Sequence, residues 1–249
     1  MGPTDFSCYY QVYKDANATR KVLTQFRKHH PDNPIYMVSD GGLDFSDIAK
    51  EFNCTYQHSW LNIGYWSHMR SEVIEYRATN GAKGHTYGWN CEEAMVYLDR
   101  FYQACIIGNK PYIMLLADDV FVNASIEINN DFGITYGVLN RYDFKALENK
   151  LNWLDIPGKW CPKGWGMCCG NFINVDKFLF AYKHGRDRLL RNYMDIYRAG
   201  LENIGYMDSL ISTLLWCSGY KLEEIINPHY SELDSNAVIF HKRHKERTY

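Results

Sequence analysis

Short runs of apolar residues alternate with amphipathic stretches through the first half of the chain. Residues 8–12 form the first run, whose aromatic and β-branched residues are typical of a strand. In the stretch that follows, Val22, Leu23 and Phe26 recur at helical spacing and mark the buried face of a helix. The alternation continues with a strand over 35–39, a helix over about 45–52 and a short strand around 54–56.

A β-α-β-α-β order predicts a parallel sheet built by right-handed crossovers. In such folds the loops at the carboxyl ends of the strands bind ligands. Asp40 directly follows the strand predicted over 35–39. We therefore expect Asp40 to lie at the ligand-binding edge of the sheet.

The rest of the chain has longer predicted helices and fewer strands. Residues 61–90 lack clear periodicity, and a loop of this length inside a domain is more often functional than idle. A helix is predicted over 91–107, and it leads into the most apolar predicted strand, residues 112–116. The pattern ends with a strand over 171–174 and helices around 175–182, 188–199 and 208–217.

The composition is that of a globular protein with a sizeable core. Of the 249 residues, 46% are hydrophobic and 22% are charged, which predicts one α/β domain spanning the chain. The formal net charge is −2, and without a large basic field the chain is not expected to bind nucleic acid. No segment approaches the roughly 20 apolar residues of a membrane span, so we expect a cytoplasmic protein.

The eight cysteines are scattered along the chain. Cys8, Cys105 and Cys217 lie in apolar segments, which favours buried, reduced thiols over a disulfide framework. Zinc binding by Cys161 and the pair 168–169 is the alternative, but no C-x-x-C spacing supports it.

Two adjacent carboxylates, Asp118 and Asp119, stand at the end of the strand predicted over 112–116. Neighbouring carboxylates that are removed from water repel each other unless a cation or a proton lies between them. Mg²⁺ and Mn²⁺ take few protein carboxylates and share the phosphate oxygens of a substrate, so the pair suits a nucleoside-diphosphate site. A turn or capping role is the alternative, because aspartate is favoured where strands give way to loops.

Residues 113–120 resemble the D-x-D element of GT-A glycosyltransferases, in which a hydrophobic strand leads into acids and then valine. The resemblance implies that Asp119 binds the Mn²⁺ or Mg²⁺ ion that bridges the donor diphosphate. It places Asp118 in contact with the ribose or the metal. Ala117 stands where the family has a further acid, which leaves the number of direct metal ligands open. The implied fold is the Rossmann-like GT-A fold, a mixed, mainly parallel central sheet flanked by helices.

Three further segments are similar to the same family in the same chain order. Residues 39–42 resemble its nucleoside-binding turn, which assigns Asp40 to the base or ribose; a plain β-turn is the alternative. Residues 164–170 resemble the glycine-containing loop that faces the donor and acceptor sugars, with an ordinary loop as the alternative. Residues 205–212 resemble a helix start at which Asp208 is a general base or an acceptor-binding acid, although aspartate is also a preferred cap.

The closing segment supplies a second candidate metal ligand. Residues 236–242 resemble the C-terminal strand that returns a histidine to the metal in GT-A enzymes, which makes His241 the candidate. Imidazole completes a mostly oxygen coordination sphere more readily for Mn²⁺ than for Mg²⁺. His244 and His229 are the alternatives.

The remaining candidates are expected to bind the donor. Lys242 belongs to the basic run 241–245, which either grips the diphosphate or is a solvated tail. Asn90 matches the asparagine with which family members contact the nucleotide or sugar, although Trp89 replaces the usual preceding arginine. Tyr13, after the first predicted strand, completes the set.

The resemblance implies transfer of a sugar from a nucleoside-diphosphate sugar, with UDP expected, to a hydroxyl of a glycan or glycoprotein. It divides the domain into a nucleotide-binding half, about 1–122, and an acceptor-binding half, about 123–249. Segments 10–14, 26–28 and 44–49 are also similar to sugar transferases that large algal viruses encode for capsid glycans, which would place the protein in the host cytoplasm.

Two other functions remain open at this point. A sugar-phosphate nucleotidyltransferase shares the nucleotide-binding plan, but residues 13–20 lack the glycines of its early phosphate loop. An inactive, carbohydrate-binding protein is suggested by Ala117 and by the aromatic content of 16%.

Overall fold

The computed structural model describes residues 5–60, 91–126, 138–143, 163–166, 170–198, 230–231 and 233–242, together with positions 211, 214, 215 and 218. The helices are α1 (Ala16–His29), α2 (Ser46–Glu51), α3 (Cys91–Gly108) and α4 (Val175–Arg198). The strands are β1 (Phe6–Val12), β2 (Ile35–Ser39), β3 (Thr55–Gln57), β4 (Tyr112–Leu116), β5 (Val120–Val122), β6 (Val138–Asp143), β7 (Lys163–Gly166), β8 (Phe172–Asn174), β9 (Tyr230–Ser231) and β10 (Ile239–His241).

The central sheet has five strands in the order β3-β2-β1-β4-β8. The first four run parallel, and β8 is antiparallel to β4, so the sheet is mixed and mainly parallel, as predicted. Val12 pairs with Ser39, and Tyr10 pairs with Leu116, so the carboxyl ends of β1, β2 and β4 meet at one edge.

The strands β1, β2 and β4 are buried on both faces of this sheet, which explains why they are nearly continuous apolar runs. Successive residues of β1 alternate between the two cores: Tyr9 packs on the face covered by α3 and α4, while Cys8 and Tyr10 pack on the face covered by α1 and α2. The buried residues of α1 include Val22, Leu23 and Phe26, which confirms the predicted helix face.

A second, smaller sheet brings a segment from near the end of the chain beside β4. β10 pairs antiparallel with β5, which follows β4 after a short turn, and it pairs parallel with β9. His241 lies opposite Val120 in this pairing. β6 and β7 form a two-stranded sheet. Strand pairing therefore places the predicted histidine next to the predicted acidic pair.

The prediction of separate helices around 175–182 and 188–199 is wrong, because α4 continues without a break. Gly185, which favours a helix end in the sequence, packs where a Cβ atom would lie 3.0 Å from Cδ1 of Leu214. The next residue, Arg186, forms a salt bridge of 2.6 Å with Asp99 of α3. Contacts with other elements thus stabilise the helical turn at Gly185, which the low helix propensity of glycine disfavours.

Cys8, Cys54 and Cys105 are free thiols in the described part of the chain, and Cys8 and Cys105 are buried. Burial raises the pKa of the Cys54 thiol to about 11 and raises that of the other two well above the usual value. Cys8 and Cys105 are thus buried thiols, as expected, whereas Cys217 lies outside the described residues.

His30, at the end of α1, is buried between aromatic rings, 5.0 Å from Phe6 and 5.1 Å from Phe26 between ring centroids. Its Nε2 accepts a hydrogen bond of 3.2 Å from the backbone N–H of Ile126. Burial, followed by the charges of His29 and Arg27, lowers the pKa of His30 to about 4. The ring is therefore neutral in the folded protein at neutral pH.

We expect His30 to lower the free energy of unfolding as the pH falls from about 6.5 to about 4. The unfolded chain takes up the proton first, so the folded state loses up to about 3 kcal/mol over this window. Asp118 acts in the opposite sense, because burial raises the pKa of its carboxyl from 3.8 to about 6. The measurement is therefore a difference in the free energy of unfolding, from urea titrations at pH 7 and pH 4.5, between the wild type and His30→Gln. Equal pH dependence of the two proteins would contradict the assignment.

Candidate active site

The carboxyl edge of the central sheet gathers several of the predicted site residues. Tyr13 follows β1, Asp40 follows β2, and the pair Asp118 and Asp119 follows β4. β10 brings His241 to the same place. Two other predicted site residues, Asn90 and Asp208, lie outside the described residues.

A tight turn connects β4 with β5. The N–H of Val120 donates to the carbonyl of Ala117 over 3.1 Å, so Asp118 and Asp119 are the two central residues of a β-turn. The two carboxylates leave this turn toward different partners, and their roles are therefore different.

The carboxylate of Asp118 is directed toward β1 and α1. Its Oδ1 accepts a hydrogen bond of 2.6 Å from the hydroxyl of Tyr10 and one of 3.1 Å from Oγ1 of Thr19. Burial, offset in part by these two hydrogen bonds, raises the pKa of Asp118 to about 6. Asp118 is thus bound to groups of the protein itself.

Asp119 is buried and lies beside His241. Its Oδ2 is 3.3 Å from Nε2 of the histidine, whose side chain is 15% exposed. The N–H of Lys242 donates to the carbonyl of Asp119 over 2.8 Å, so β10 also holds the backbone of this residue. A carboxylate oxygen and an imidazole nitrogen, both of which can bind a metal ion, therefore lie side by side at the edge of the sheet.

The donor set at Asp119 and His241 fits a hard divalent ion that also binds substrate. Ligand atoms about 2.1 Å from an octahedral ion, at right angles to each other, are about 3.0 Å apart. The observed separation of 3.3 Å is close to that value. In the described part of the chain no three His, Cys, Asp or Glu residues are grouped to hold a metal ion. Water and phosphate oxygens are ligands that Mg²⁺ and Mn²⁺ take in phosphate-binding sites, and they would suit an ion held by this pair.

Asp40 forms a buried ion pair that the sequence analysis missed. Nη1 of Arg100, in α3, donates to Oδ1 of Asp40 over 2.8 Å, and both side chains are at most 5% exposed. Nη2 of the same guanidinium donates to the hydroxyl of Ser59. Arg100 thus ties the ends of β2 and β3 to α3. A sequence signal did exist, since Arg100 lies three residues after Tyr97 and four before Ala104, on the buried face of the helix.

The turn after β2 packs directly on the end of β1. Gly41 has φ of 72°, a left-handed conformation that glycine adopts without strain. The N–H of Leu43 donates to the carbonyl of Tyr13 over 2.8 Å. A Cβ atom on Gly42 would lie 1.7 Å from that same oxygen. The two glycines predicted as a nucleoside-binding turn therefore have a structural reason as well.

We expect Gly42→Ala to destabilise the protein by at least about 2 kcal/mol, because backbone must move to admit the methyl group. Gly185→Ala is the matched control, since its methyl group meets side-chain atoms alone, the end of Leu214 at 3.0 Å and the hydroxyl of Ser218 at 3.4 Å, and the substitution gains helix propensity. Urea denaturation measures both. A Gly42→Ala variant as stable as Gly185→Ala would contradict the packing described for this turn.

The solved structures that are similar to this chain include glycosyltransferases. Core-mannan synthase A (CmsA/Ktr4) from Aspergillus fumigatus, in its Mn/GDP form, matches with a TM-score of 0.55 and 11% identity, over 86% of this chain and 70% of that one. Mouse xyloside xylosyltransferase 1, in its apo form, matches with a TM-score of 0.47 and 12% identity, over 98% and 99% of the two chains. The first likeness shows the fold: a GT-A glycosyltransferase fold, as the sequence predicts.

Comparisons with protein-family models and with curated protein sequences find no match. None of the helices in the described part of the chain combines the length and apolar character that crossing a bilayer requires.

Proposed function

We propose that this chain is a metal-dependent glycosyltransferase. It moves a sugar from a nucleoside-diphosphate sugar, with UDP expected, to a hydroxyl of a glycan or glycoprotein. The observation that carries the proposal is the Asp119–His241 pair, 3.3 Å apart, at the carboxyl end of β4 in a GT-A fold. The nucleotide-binding half of the domain is residues 1–122 and the acceptor-binding half is 123–249.

In this proposal Asp119 and His241 hold Mn²⁺ or Mg²⁺ against the diphosphate. A bound ion offsets the negative charge that develops on the leaving diphosphate. The backbone N–H of Lys242 donates to the carbonyl of Asp119, and we expect the cationic side chain of Lys242 to bind the diphosphate. The turn at Asp40, with Tyr13 packed against it, supplies the nucleoside site, and Asn90 adds a donor contact. The Mn/GDP form of the fungal synthase supports this choice of ions.

The acceptor side of the proposal rests on Asp208. If the reaction inverts the anomeric centre, Asp208 removes the proton of the acceptor hydroxyl as a positioned general base. If it retains the configuration, the leaving phosphate takes that proton and Asp208 orients the acceptor.

We expect Asp208→Asn to leave the Kd for the nucleoside diphosphate unchanged and to lower the rate of sugar transfer, by about 100-fold or more where Asp208 is the general base of an inverting reaction. Calorimetry measures the first quantity and donor turnover the second. Turnover equal to that of the wild type would remove Asp208 from the catalytic residues.

A panel of nucleotide sugars, each incubated with the protein and Mn²⁺, tests the function itself. Release of nucleoside diphosphate from one donor, dependent on the metal, is the expected result. Binding of a glycan without donor hydrolysis, and without manganese-dependent nucleotide binding, would instead indicate an inactive carbohydrate-binding protein. Pyrophosphate release from a nucleoside triphosphate and a sugar phosphate would indicate a nucleotidyltransferase.

We further propose that the protein is a transferase of a large algal virus and acts in the host cytoplasm. This proposal is supported by the similarity of segments 10–14, 26–28 and 44–49 to such transferases.

A further inference from the structure

The first acid of the turn after β4 is bound by two hydroxyl groups that come from far along the chain. Tyr10, on β1, and Thr19, on α1, both have side chains that are fully buried. Their hydroxyls reach the same atom, Oδ1 of Asp118, over 2.6 and 3.1 Å. A carboxylate that already accepts two hydrogen bonds from the interior is oriented by the protein.

The two hydroxyls do not contribute equally. Oγ1 of Thr19 also contacts the carbonyl of Asp15 at 2.9 Å, and a hydroxyl has only one proton to share between the two acceptors. The Tyr10 hydroxyl donates to Asp118 over 2.6 Å, a distance that is typical of a charge-assisted hydrogen bond. Tyr10 is therefore the principal donor to Asp118.

The anchored residue, Asp118, is the direct neighbour of Asp119. The two residues are the central positions of one β-turn, closed by the hydrogen bond from Val120 to Ala117. On the far side of this turn, the N–H of Lys242 binds the carbonyl of Asp119 over 2.8 Å. The turn is thus held at both of its central residues, by a side chain at the first and by the backbone at the second.

We propose that Asp118 is a positioning residue that contacts neither the nucleotide nor the metal, and that the Tyr10 hydroxyl acts through Asp118 to aim the Asp119 carboxylate toward His241. This inference rests on the proposed function, and it revises the role that the D-x-D resemblance implies for Asp118. Partners that orient a metal ligand typically contribute 10- to 100-fold, roughly, to metal affinity.

The test measures Mn²⁺ affinity in the presence of a nucleoside diphosphate, by calorimetry, for Tyr10→Phe, Asp118→Asn and the two combined. We expect each single variant to raise the Kd for Mn²⁺ about tenfold. The Kd of the combined variant should be no higher than that of the single variant with the higher Kd, because both changes break the same hydrogen bond between Tyr10 and Asp118. The Kd for the nucleotide without metal should remain that of the wild type, which a general loss of structure would not allow.

Tyr182→Phe is the matched control. The Tyr182 hydroxyl, on α4, also donates to an aspartate, Asp99, over 2.7 Å, but the pair lies between α3 and α4. Its removal should leave the Kd for Mn²⁺ unchanged. If Tyr10→Phe does not fold, Thr19→Val removes the weaker donor instead, and a rise of about twofold in the same Kd is expected.

Three results would overturn the inference. The first is a Tyr10→Phe variant, or in its place Thr19→Val, with wild-type Mn²⁺ affinity. The second is a far larger loss in Asp118→Asn than in Tyr10→Phe, which would make Asp118 a direct ligand. The third is additive losses in the combined variant. A wild-type protein that shows no manganese-dependent nucleotide binding would instead overturn the proposed function.

Discussion

Asp119→Ala is expected to abolish manganese-dependent binding of a nucleoside diphosphate while the protein remains folded. The Asp119 carboxylate is buried beside His241, and these two side chains are the proposed metal ligands at the edge of the sheet. Its removal leaves an ion with one imidazole and substrate oxygens, and a loss of about 100-fold or more in nucleotide affinity in Mn²⁺ follows from the several kcal/mol that such an ion contributes.

Calorimetry with the diphosphate, with and without Mn²⁺, measures this effect. Asp176→Ala is the control, because Asp176 is an exposed acid in the first turn of α4. Circular dichroism of both variants establishes that the fold is intact. Undiminished binding by Asp119→Ala would move the metal away from β4 altogether.

Arg100→Met is expected to produce the largest loss of stability, about 3–5 kcal/mol. The substitution leaves the Asp40 carboxylate buried without its guanidinium partner, 2.8 Å away in the wild type, and removes the link to Ser59. A buried charge that loses its partner costs far more than an ion pair contributes at the surface. Urea denaturation provides the free energy of unfolding.

Two comparisons make this result specific to the buried pair. Arg20→Met breaks the exposed pair between Arg20 and Glu51, whose side chains are 45% and 50% accessible, and should cost at most about 1 kcal/mol. Adding Asp40→Asn to Arg100→Met removes the orphaned charge and should restore part of the stability. Arg100→Met as mild as Arg20→Met would show that water reaches Asp40.

The alternation of strands and helices was predictable because each element carries its own signal. β2 and β4 are short apolar runs bounded by turn residues, and both have the bounds that the sequence predicts. α4 was mispredicted for the complementary reason. A glycine and charged residues weaken its local signal near Gly185, and the contacts that compensate, Arg186 with Asp99 and the glycine with Leu214, come from other elements.

The candidate site divides in the same way. The local sequence pattern is enough to place an acidic pair after the most apolar strand, and a parallel sheet brings the ends of its strands together. It does not tell which of the two adjacent acids accepts hydrogen bonds from interior hydroxyls. That depends on Tyr10 and Thr19, which lie 108 and 99 residues before Asp118.

The sequence alone thus determined the β-α-β order, the GT-A fold that it shares with known structures and the position of the acidic pair. Tertiary structure decided the environment of each acid: Asp118 bound by interior hydroxyls, Asp119 beside His241, and Asp40 paired with Arg100, 60 residues away. The physical reason is that elements form from contacts between near neighbours, whereas the burial and hydrogen bonding of a carboxylate depend on strand order and helix packing across the whole domain.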